Sequence, residues 1–214
     1  MEKILLKRRT QKVLSDTADL PIMPVQNNEK LEEMIAAAGN APFHFACDRI
    51  HMEKMTSPVP WRARMLDAAN CRKLLQQMIS AGDTTKVPNM LAAAAYLVQV
   101  TWLPDAGTRH ENPSEKDQVF FDGTLRNMEH IAAASAFVQS LILAAENAGY
   151  KTYWSSGGPL KGQAVFDLLD IPLAEILLGA ILLFPDSQEA VEVKSGSMAD
   201  KRGKLKDWST WVSV

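Results

Sequence analysis

The segment that decides the fold spans residues 125–147 and has the sequence LRNMEHIAAASAFVQSLILAAEN. Its apolar side chains occupy nearly every face of a helix rather than one stripe, and Gly149 follows as a terminating residue. A helix of this kind must be buried on several sides, at the centre of a domain or against a second subunit. The pattern therefore predicts a long central helix whose alanines let a neighbouring helix approach closely.

The segments around this helix alternate between helical and strand patterns. Apolar spacing predicts a helix over 28–38 and another from an N-cap at Asp67 to Gly82. Further helical or strand segments are predicted at the end of 90–103 (a buried strand), at 150–154 (a strand), at 160–169 (a helix) and at 176–184 (a buried strand). The alternation predicts an α/β or α+β layered architecture. A chain of 214 residues is expected to form a single domain over 1–214.

The charge and cysteine content exclude several classes of protein. The chain has 23 Lys and Arg against 25 Asp and Glu, a net charge of −2, so nothing supports a nucleic-acid partner. Cys47 and Cys71 are too few for a disulfide framework, and the short apolar run near the N-terminus does not resemble a signal peptide. No uninterrupted apolar stretch reaches about 18 residues. We therefore predict a cytoplasmic protein without a membrane partner.

Two basic clusters and one glycine-rich turn could bind an anion. The clusters lie at 7–12 and 201–204, and the turn, at 154–159, joins a predicted strand to a predicted helix. Arginine and lysine with a nearby hydroxyl suit a phosphate group, and a turn of small residues lets backbone N–H groups approach a ligand. Pattern alone also allows solvated terminal segments and an ordinary turn.

A histidine and cysteine pattern lies within residues 41–60. His44, Cys47, Asp48 and His51 give the spacing H-x-x-C-x-x-x-H, which could hold a metal only with a distant further ligand. Cys47 with His44 could also form a thiolate nucleophile and its base. Paired C-x-x-C spacing is absent from the sequence, so we predict no metal site. The sequence also lacks G-x-G-x-x-G after a strand and the P-loop motif.

Taken in chain order, the motifs resemble the nitroreductase family of FMN-dependent oxidoreductases. The motifs are Arg8-Arg9-Thr10-Gln11-Lys12, Ala41-Pro42, Pro60-Trp61-Arg62, residues 144–150 running into 153–157, and Lys201-Arg202-Gly203-Lys204-Leu205. The resemblance spans nearly the whole chain.

The resemblance implies an α+β nitroreductase-like fold, with a central mixed sheet flanked by helices, in an intertwined homodimer with two FMN sites at the interface. It implies electron transfer from NADH or NADPH to FMN and then to a nitroaromatic, quinone-like or other conjugated acceptor, in a ping-pong cycle. The flavin carries the chemistry, so no catalytic side chain is predicted. The alternative is a non-catalytic FMN-binding protein for storage, sensing or regulation.

The resemblance also implies which residues contact the cofactor. The phosphate and ribityl chain are assigned to Arg8, Arg9, Thr10, Lys12, Arg202 and Lys204, and the ring to Trp154, Ser155, Ser156, Gly157 and Gly158.

The sequence departs from the family pattern between the Ala-Pro and Pro-Trp motifs. The family has a short A-P-S-x-x-N-x-Q-P-W loop there, whereas this chain has an insertion that carries His44. Counted back from Pro60, Ser57 takes the position of the asparagine that contacts flavin, and Val59 that of the glutamine. We assign Ser57 to the cofactor site and expect the substrate pocket to include His44, Trp61, Phe120 and Phe121.

Overall fold

The helices and strands are described for residues 2–24, 27–111, 119–186 and 192–213 of a computed structural model. The α-helices of these ranges are α1 Glu2–Lys7, α2 Asn28–Ala38, α3 Ala68–Ser80, α4 Val87–Ala93, α5 Leu125–Asn147 and α6 Gln163–Leu168. The strands are β1 Gln11–Leu14, β2 Trp61–Asp67, β3 Tyr96–Trp102, β4 Arg109–Glu111, β5 Val119–Phe121, β6 Tyr150–Ser155, β7 Ile176–Pro185 and β8 Glu192–Ser195. Short 3₁₀ helices cover Arg49–His51, Gly158–Lys161, Ser197–Lys201 and Leu205–Asp207.

The predicted ends of three helices are confirmed, and two of their caps show why. The carboxylate of Asp67 accepts the N–H of Asn70 at 2.8 Å at the start of α3. The hydroxyl of Thr124 accepts the N–H of Asn127 at 3.1 Å at the start of α5. Each cap satisfies a backbone donor that has no partner within the helix. After α5 the chain turns at Gly149, whose φ of +87° favours glycine.

The central sheet has the strand order β2-β3-β7-β6, and with helices on both faces it confirms the predicted α+β class. Each neighbouring pair in it is antiparallel, which corrects the expected mixed sheet. Parallel pairing among the described residues is confined to an isolated bridge between Thr10 and Thr152. Two consecutive helices, α3 and α4, connect β2 to β3. Such a pair returns the chain to the end of the sheet that it left, so the next strand runs antiparallel.

The sheet is covered by helices on both faces. On one face, α2 and α5 contribute Leu31, Phe137 and their neighbours to a buried cluster. On the other face, α3 and α4 contribute Leu75, Leu91 and their neighbours. All seven residues of β3 are buried, and β7 is buried from Gly179 onward. Burial on both faces explains the nearly continuous apolar sequences of these two strands.

The long helix α5 is only partly covered in the single chain. Nine of its residues are buried against α2 and the sheet, whereas Leu125 and Met128 stay exposed. Among the described helices, α5 is the one that is long and apolar enough to cross a membrane. The core helix of a soluble protein meets the same two criteria. The packing of α5 against α2 and all four strands of the central sheet is that of a core helix.

Some elements differ from the sequence-based prediction. The helix predicted over 160–169 is divided into a 3₁₀ turn and α6, because Gly162 adopts an extended ψ of 153°. The alanine run before β3 belongs partly to α4, which ends at Ala93. Strands β1, β2 and β8 have no counterpart in the prediction, since they are short or interrupted by charged residues.

The Cys71 thiol should be nearly unreactive in the folded chain. It lies fully buried on α3, and burial raises the pKa of this thiol to about 12 from 9.0. Because the pKa of an acid is raised, its thiolate fraction at pH 8 falls by about a thousandfold. A thiol reagent at pH 8 should therefore label Cys71 much more slowly in native protein than in urea. Cys71→Ala identifies which signal belongs to it, and equal rates in both states would contradict the prediction.

Candidate functional site

A cationic cavity brings the two basic clusters of the sequence together. It has a volume of about 400 Å³, and the residues lining it are Arg8, Arg9, Thr10, Lys12, Lys86, Tyr153, Lys194, Ser195, Gly196, Ser197, Met198 and Arg202. Six of these are cationic, and the described lining contains no carboxylate. Five of the residues assigned to the FMN phosphate therefore lie around one cavity: Arg8, Arg9, Thr10, Lys12 and Arg202.

One backbone bridge and the side-chain contacts of two arginines hold the N-terminal side of the cavity in place. Thr10 bridges to Thr152 on β6, so the segment before β1 is anchored at the edge of the central sheet. The guanidinium of Arg8 lies 3.5 Å from the hydroxyl of Thr10. The guanidinium of Arg9 donates to the carbonyls of Leu6 and Arg8 at 3.0 Å, which leaves its other N–H groups for a ligand.

The C-terminal side is held by the β1–β8 ribbon, which the sequence analysis missed. The N–H of Gly196 donates to the carbonyl of Thr10 at 2.8 Å. A Cβ on Gly196 would lie 3.2 Å from the Cβ of Thr10, so a side chain at this position would crowd the contact. Val193, placed between two charged residues, is the weak alternation that could have indicated β8. Lys86 and Lys194 had no motif to mark them.

A carboxylate lies behind the cavity and interacts with Arg8. Burial raises the pKa of Glu146, and the nearby Arg8 opposes that rise. The hydroxyl of Thr152 donates to Glu146 Oε1 at 2.8 Å. A smaller space of about 340 Å³ on this side is lined by both Arg8 and Glu146. Arg8 is therefore shared between the cationic cavity and one half-buried acid.

Lys204 lies outside the described lining of the cavity, unlike Arg202. It caps the 3₁₀ helix Leu205–Asp207, and its backbone N–H donates to the carboxylate of Asp207 at 2.7 Å. The side chain of Lys204 is exposed.

The segment assigned to the flavin ring, residues 154–158, begins on β6 directly after the cavity residue Tyr153. Tyr153 lines the cavity, and Trp154 packs with the core cluster on the opposite face of the sheet. The N–H of Gly157 donates to the hydroxyl of the buried Ser155 at 3.2 Å. Gly157 has a φ of +104°, and a Cβ there would lie 2.4 Å from Leu177, so only glycine fits without rearrangement. Ser156 and Gly158 are exposed beside it.

The residues assigned to the substrate pocket lie near the N-terminal end of α5. His44 Nδ1 is 3.0 Å from Glu129 Oε2, and Phe121 packs edge-on against Trp102 at 4.8 Å. Phe120 is exposed on the same short strand. Trp61 differs from the expectation, because it is 5% exposed and stacks on Phe137 in the core. Burial of this large apolar ring in the core stabilises the fold more than exposure at a solvent-filled pocket would.

The histidine and cysteine pattern has structural roles in the insertion. His51 is buried with Nε2 2.8 Å from the carbonyl of Pro104. The thiol of Cys47 is 3.8 Å from both the carbonyl of Ser57 and the guanidinium of Arg62. Among the described residues, no three His, Cys, Asp or Glu side chains are placed to hold a metal.

Arg62 organises the inserted loop, and its loss should destabilise the protein. Its buried guanidinium donates to the carbonyls of Val59, Trp61, His51, Met55 and Ser57 at 2.7–3.1 Å. Arg62→Met keeps the apolar stem but leaves these carbonyls unpaired, at a cost of about 2–4 kcal/mol. Urea unfolding should show this loss, whereas the exposed control Arg49→Met should change stability by less than about 0.5 kcal/mol. Equal losses would show that the network does not support the fold.

Comparison with solved structures establishes the fold. A nitroreductase-like family protein from Bacillus cereus superposes with a TM-score of 0.64 at 15% identity, covering 100% of this chain and 96% of that chain. A nitroreductase from Desulfovibrio desulfuricans, solved in complex with FMN, has a TM-score of 0.56 at 15% identity, covering 87% and 86%. An NADH dehydrogenase/NAD(P)H nitroreductase from Parabacteroides distasonis has a TM-score of 0.55 at 19% identity, covering 98% and 96%.

The chain therefore has the nitroreductase-like fold, and the predicted resemblance is confirmed at that level. No protein-family model matches the sequence, and no curated protein matches it.

Proposed function

We propose that this protein is a homodimeric, cytoplasmic, FMN-dependent oxidoreductase. In this proposal it takes electrons from NADH or NADPH and reduces a nitroaromatic, quinone-like or other conjugated acceptor in a ping-pong cycle. The observation that carries the proposal is the cationic cavity, which lies at the edge of the sheet in a nitroreductase-like fold. A solved neighbour with this fold holds FMN.

The residues around the cavity fit the phosphate end of FMN. Arg8, Arg9 and Arg202 supply cationic donors, and Thr10 supplies a hydroxyl. A described lining without carboxylates favours a dianion over a neutral group. The residues from Trp154 to Gly158 would lie against the ring, and Gly157 holds this turn because its φ is positive and Leu177 fills the space that a Cβ would take. When bound, FMN would supply the electron-transfer chemistry, and these residues would orient it.

The separation of the assigned residues supports a dimer. Arg8 lies beside Glu146, and His44 beside Glu129. These glutamates are 17 residues apart on α5, which corresponds to about 25 Å along the helix axis. The phosphate cavity and the expected substrate pocket therefore lie at opposite ends of α5 within one chain. A second subunit would bring the pocket residues of one chain to the cavity of the other.

Exposed apolar residues near both ends of the described chain also support a dimer. Trp208 and Trp211 are 67% and 100% exposed, and Leu5 and Leu6 on α1 are more than half exposed. Large apolar side chains this exposed would be covered if they lay in a subunit interface. Sedimentation at micromolar protein concentration is expected to give twice the mass of the chain, and a monomer would contradict the dimer.

Flavin absorbance tests the cofactor, and rapid mixing tests the reaction. The purified protein should show flavin bands, or gain them with one equivalent of FMN, and should then be bleached by NADH or NADPH. Protein that neither carries nor gains flavin would exclude the proposal. Reoxidation of the bleached protein by a nitroaromatic or a quinone would identify the acceptor class.

The alternative function is FMN binding without turnover, and the inserted loop favours it. Ser57 takes the place of the family's asparagine, but its carbonyl accepts from Arg62 at 3.1 Å and its hydroxyl accepts from the N–H of Val59 at 3.4 Å. Both oxygens of Ser57 therefore accept hydrogen bonds from the loop and from Arg62. A flavin that binds but is not bleached by either nicotinamide would favour the alternative.

A further inference from the structure

We propose that the cationic cavity has a second phosphate subsite, formed by Lys12 and Lys194 with Lys86 nearby. Its ligand is a phosphate group beyond the one that Arg8, Arg9 and Arg202 would hold. The inference rests on the proposed function for the identity of the first phosphate. It deepens that function, because it specifies the class of nucleotide that the site takes.

The register of the β1–β8 ribbon places the two lysines together. Lys12 on β1 is directly opposite Lys194 on β8. Residues directly opposite in an antiparallel pair have Cβ atoms about 5 Å apart, and their side chains leave the same face. Both residues line the cavity, so that face is the cavity wall.

Like charges in this position are destabilising unless an anion lies between them. The structure shows how the free chain reduces the repulsion. Lys12 Nζ lies 4.9 Å from the centre of the Tyr153 ring, and Lys194 Nζ is 2.9 Å from Glu192 Oε1. The Lys194–Glu192 pair is exposed and therefore weak. A phosphate would replace the single carboxylate charge with a dianion that contacts both lysines.

The number of cations exceeds the need of one phosphate. A phosphomonoester carries a charge of about −2 at neutral pH. The cavity has six cationic side chains and no carboxylate in its described lining. If Arg8, Arg9 and Arg202 hold the first phosphate, three lysines of the lining remain: Lys86, Lys194 and Lys12, which the family resemblance had assigned to that first phosphate. Ser195 at the end of β8 and Ser197 just after it also line the cavity, with hydroxyls suited to phosphate oxygens.

A second phosphate can come from two kinds of nucleotide. It could be the other half of a diphosphate-linked flavin such as FAD, or the 2′-phosphate of NADPH. The shared chemistry is a phosphate held between Lys12 and Lys194. The two sources differ in whether the second phosphate is covalently part of the flavin.

The test compares the full chain with Lys194→Gln in three titrations. The first titration compares the affinities of inorganic pyrophosphate and phosphate by calorimetry, and it tests for two adjacent subsites in the absence of flavin. FAD against FMN, by flavin fluorescence, tests a diphosphate cofactor. 2′,5′-ADP against 5′-AMP, on flavin-loaded protein, tests the 2′-phosphate. Lys73→Gln, an exposed change of the same charge on α3, is the matched control.

Pyrophosphate is expected to bind about tenfold more tightly than phosphate, and Lys194→Gln should remove that preference. Glu192→Gln should tighten pyrophosphate binding about two- to fivefold, because it removes the competing carboxylate. A loss confined to FAD identifies the diphosphate flavin, and a loss confined to 2′,5′-ADP identifies the NADPH phosphate. The subsite is overturned if Lys194→Gln, folded by circular dichroism, matches Lys73→Gln in every titration. It is also overturned if Lys194→Gln weakens FMN and FAD equally.

The two proposals fail in different ways. Pyrophosphate preference without any flavin binding would overturn the proposed function and leave the second subsite. Flavin binding without a preference for pyrophosphate would overturn the second subsite and leave the proposed function.

Discussion

Glu175→Ala is expected to lower the free energy of unfolding by about 3 kcal/mol, because it leaves the largely covered guanidinium of Arg64, whose side chain is 12% exposed, without its charge partner. Glu175 is 4% exposed and lies just before β7. Arg64 on β2 binds it through both terminal nitrogens, one of them at 2.8 Å, and the buried hydroxyl of Thr101 on β3 donates to the same carboxylate. The network thus joins three neighbouring strands at one end of the sheet.

Matched variants separate the lost charge from the lost shape. Glu175→Gln keeps the volume and one acceptor for Thr101 but removes the charge, so it should recover part of the loss. The double variant Arg64→Leu/Glu175→Leu should be more stable than Glu175→Ala, because it leaves no unpaired charge. Urea unfolding of the four proteins provides the measurement. A double variant less stable than Glu175→Ala would show that the ion pair itself, and not an orphaned charge, stabilises this corner.

This network could not be predicted from the sequence, although the sheet that holds it largely could. Strand β7 is a continuous apolar run, and burial on both faces gives that signal directly. Strand β2 contains Arg62 and Arg64 at alternate positions, which resembles an exposed strand or a loop. Both arginines are in fact covered, because the inserted loop and Glu175 bring carbonyls and a carboxylate to them. Partners so distant in sequence leave no local pattern.

The candidate site also contains residues that the sequence predicts and residues that it does not. A resemblance in motif order named Arg8, Thr10 and Arg202, and the fold brings these residues around one cavity. Lys194 was missed because its role depends on the register between β1 and β8, which pairs it with Lys12, a residue far away in the sequence. Trp61 was expected in the substrate pocket, whereas the structure buries it in a stack on Phe137.

The double variant Arg8→Ala/Arg202→Ala is expected to lose FMN almost completely. Each arginine can give a charge-assisted contact to phosphate of about 1.5–3 kcal/mol. If the two losses add, affinity falls by about 10²–10⁴-fold, and each single variant should account for about half of that in free energy. Fluorescence titration of the flavin measures the change. The losses should shrink at high salt, since exposed charges such as Arg202 are screened.

The control for this prediction is the lysine two residues further along the chain. Family resemblance assigns Lys204 to the same phosphate, but the structure leaves it exposed outside the described lining, at the start of a 3₁₀ turn. Lys204→Ala removes one positive charge as Arg202→Ala does, so its effect on FMN affinity should stay within about twofold at physiological salt. Equal losses at the two positions would mean that the C-terminal segment moves to bring both cations onto the phosphate. A loss at Arg202 alone would show that the cavity geometry, rather than the motif, determines which cation binds.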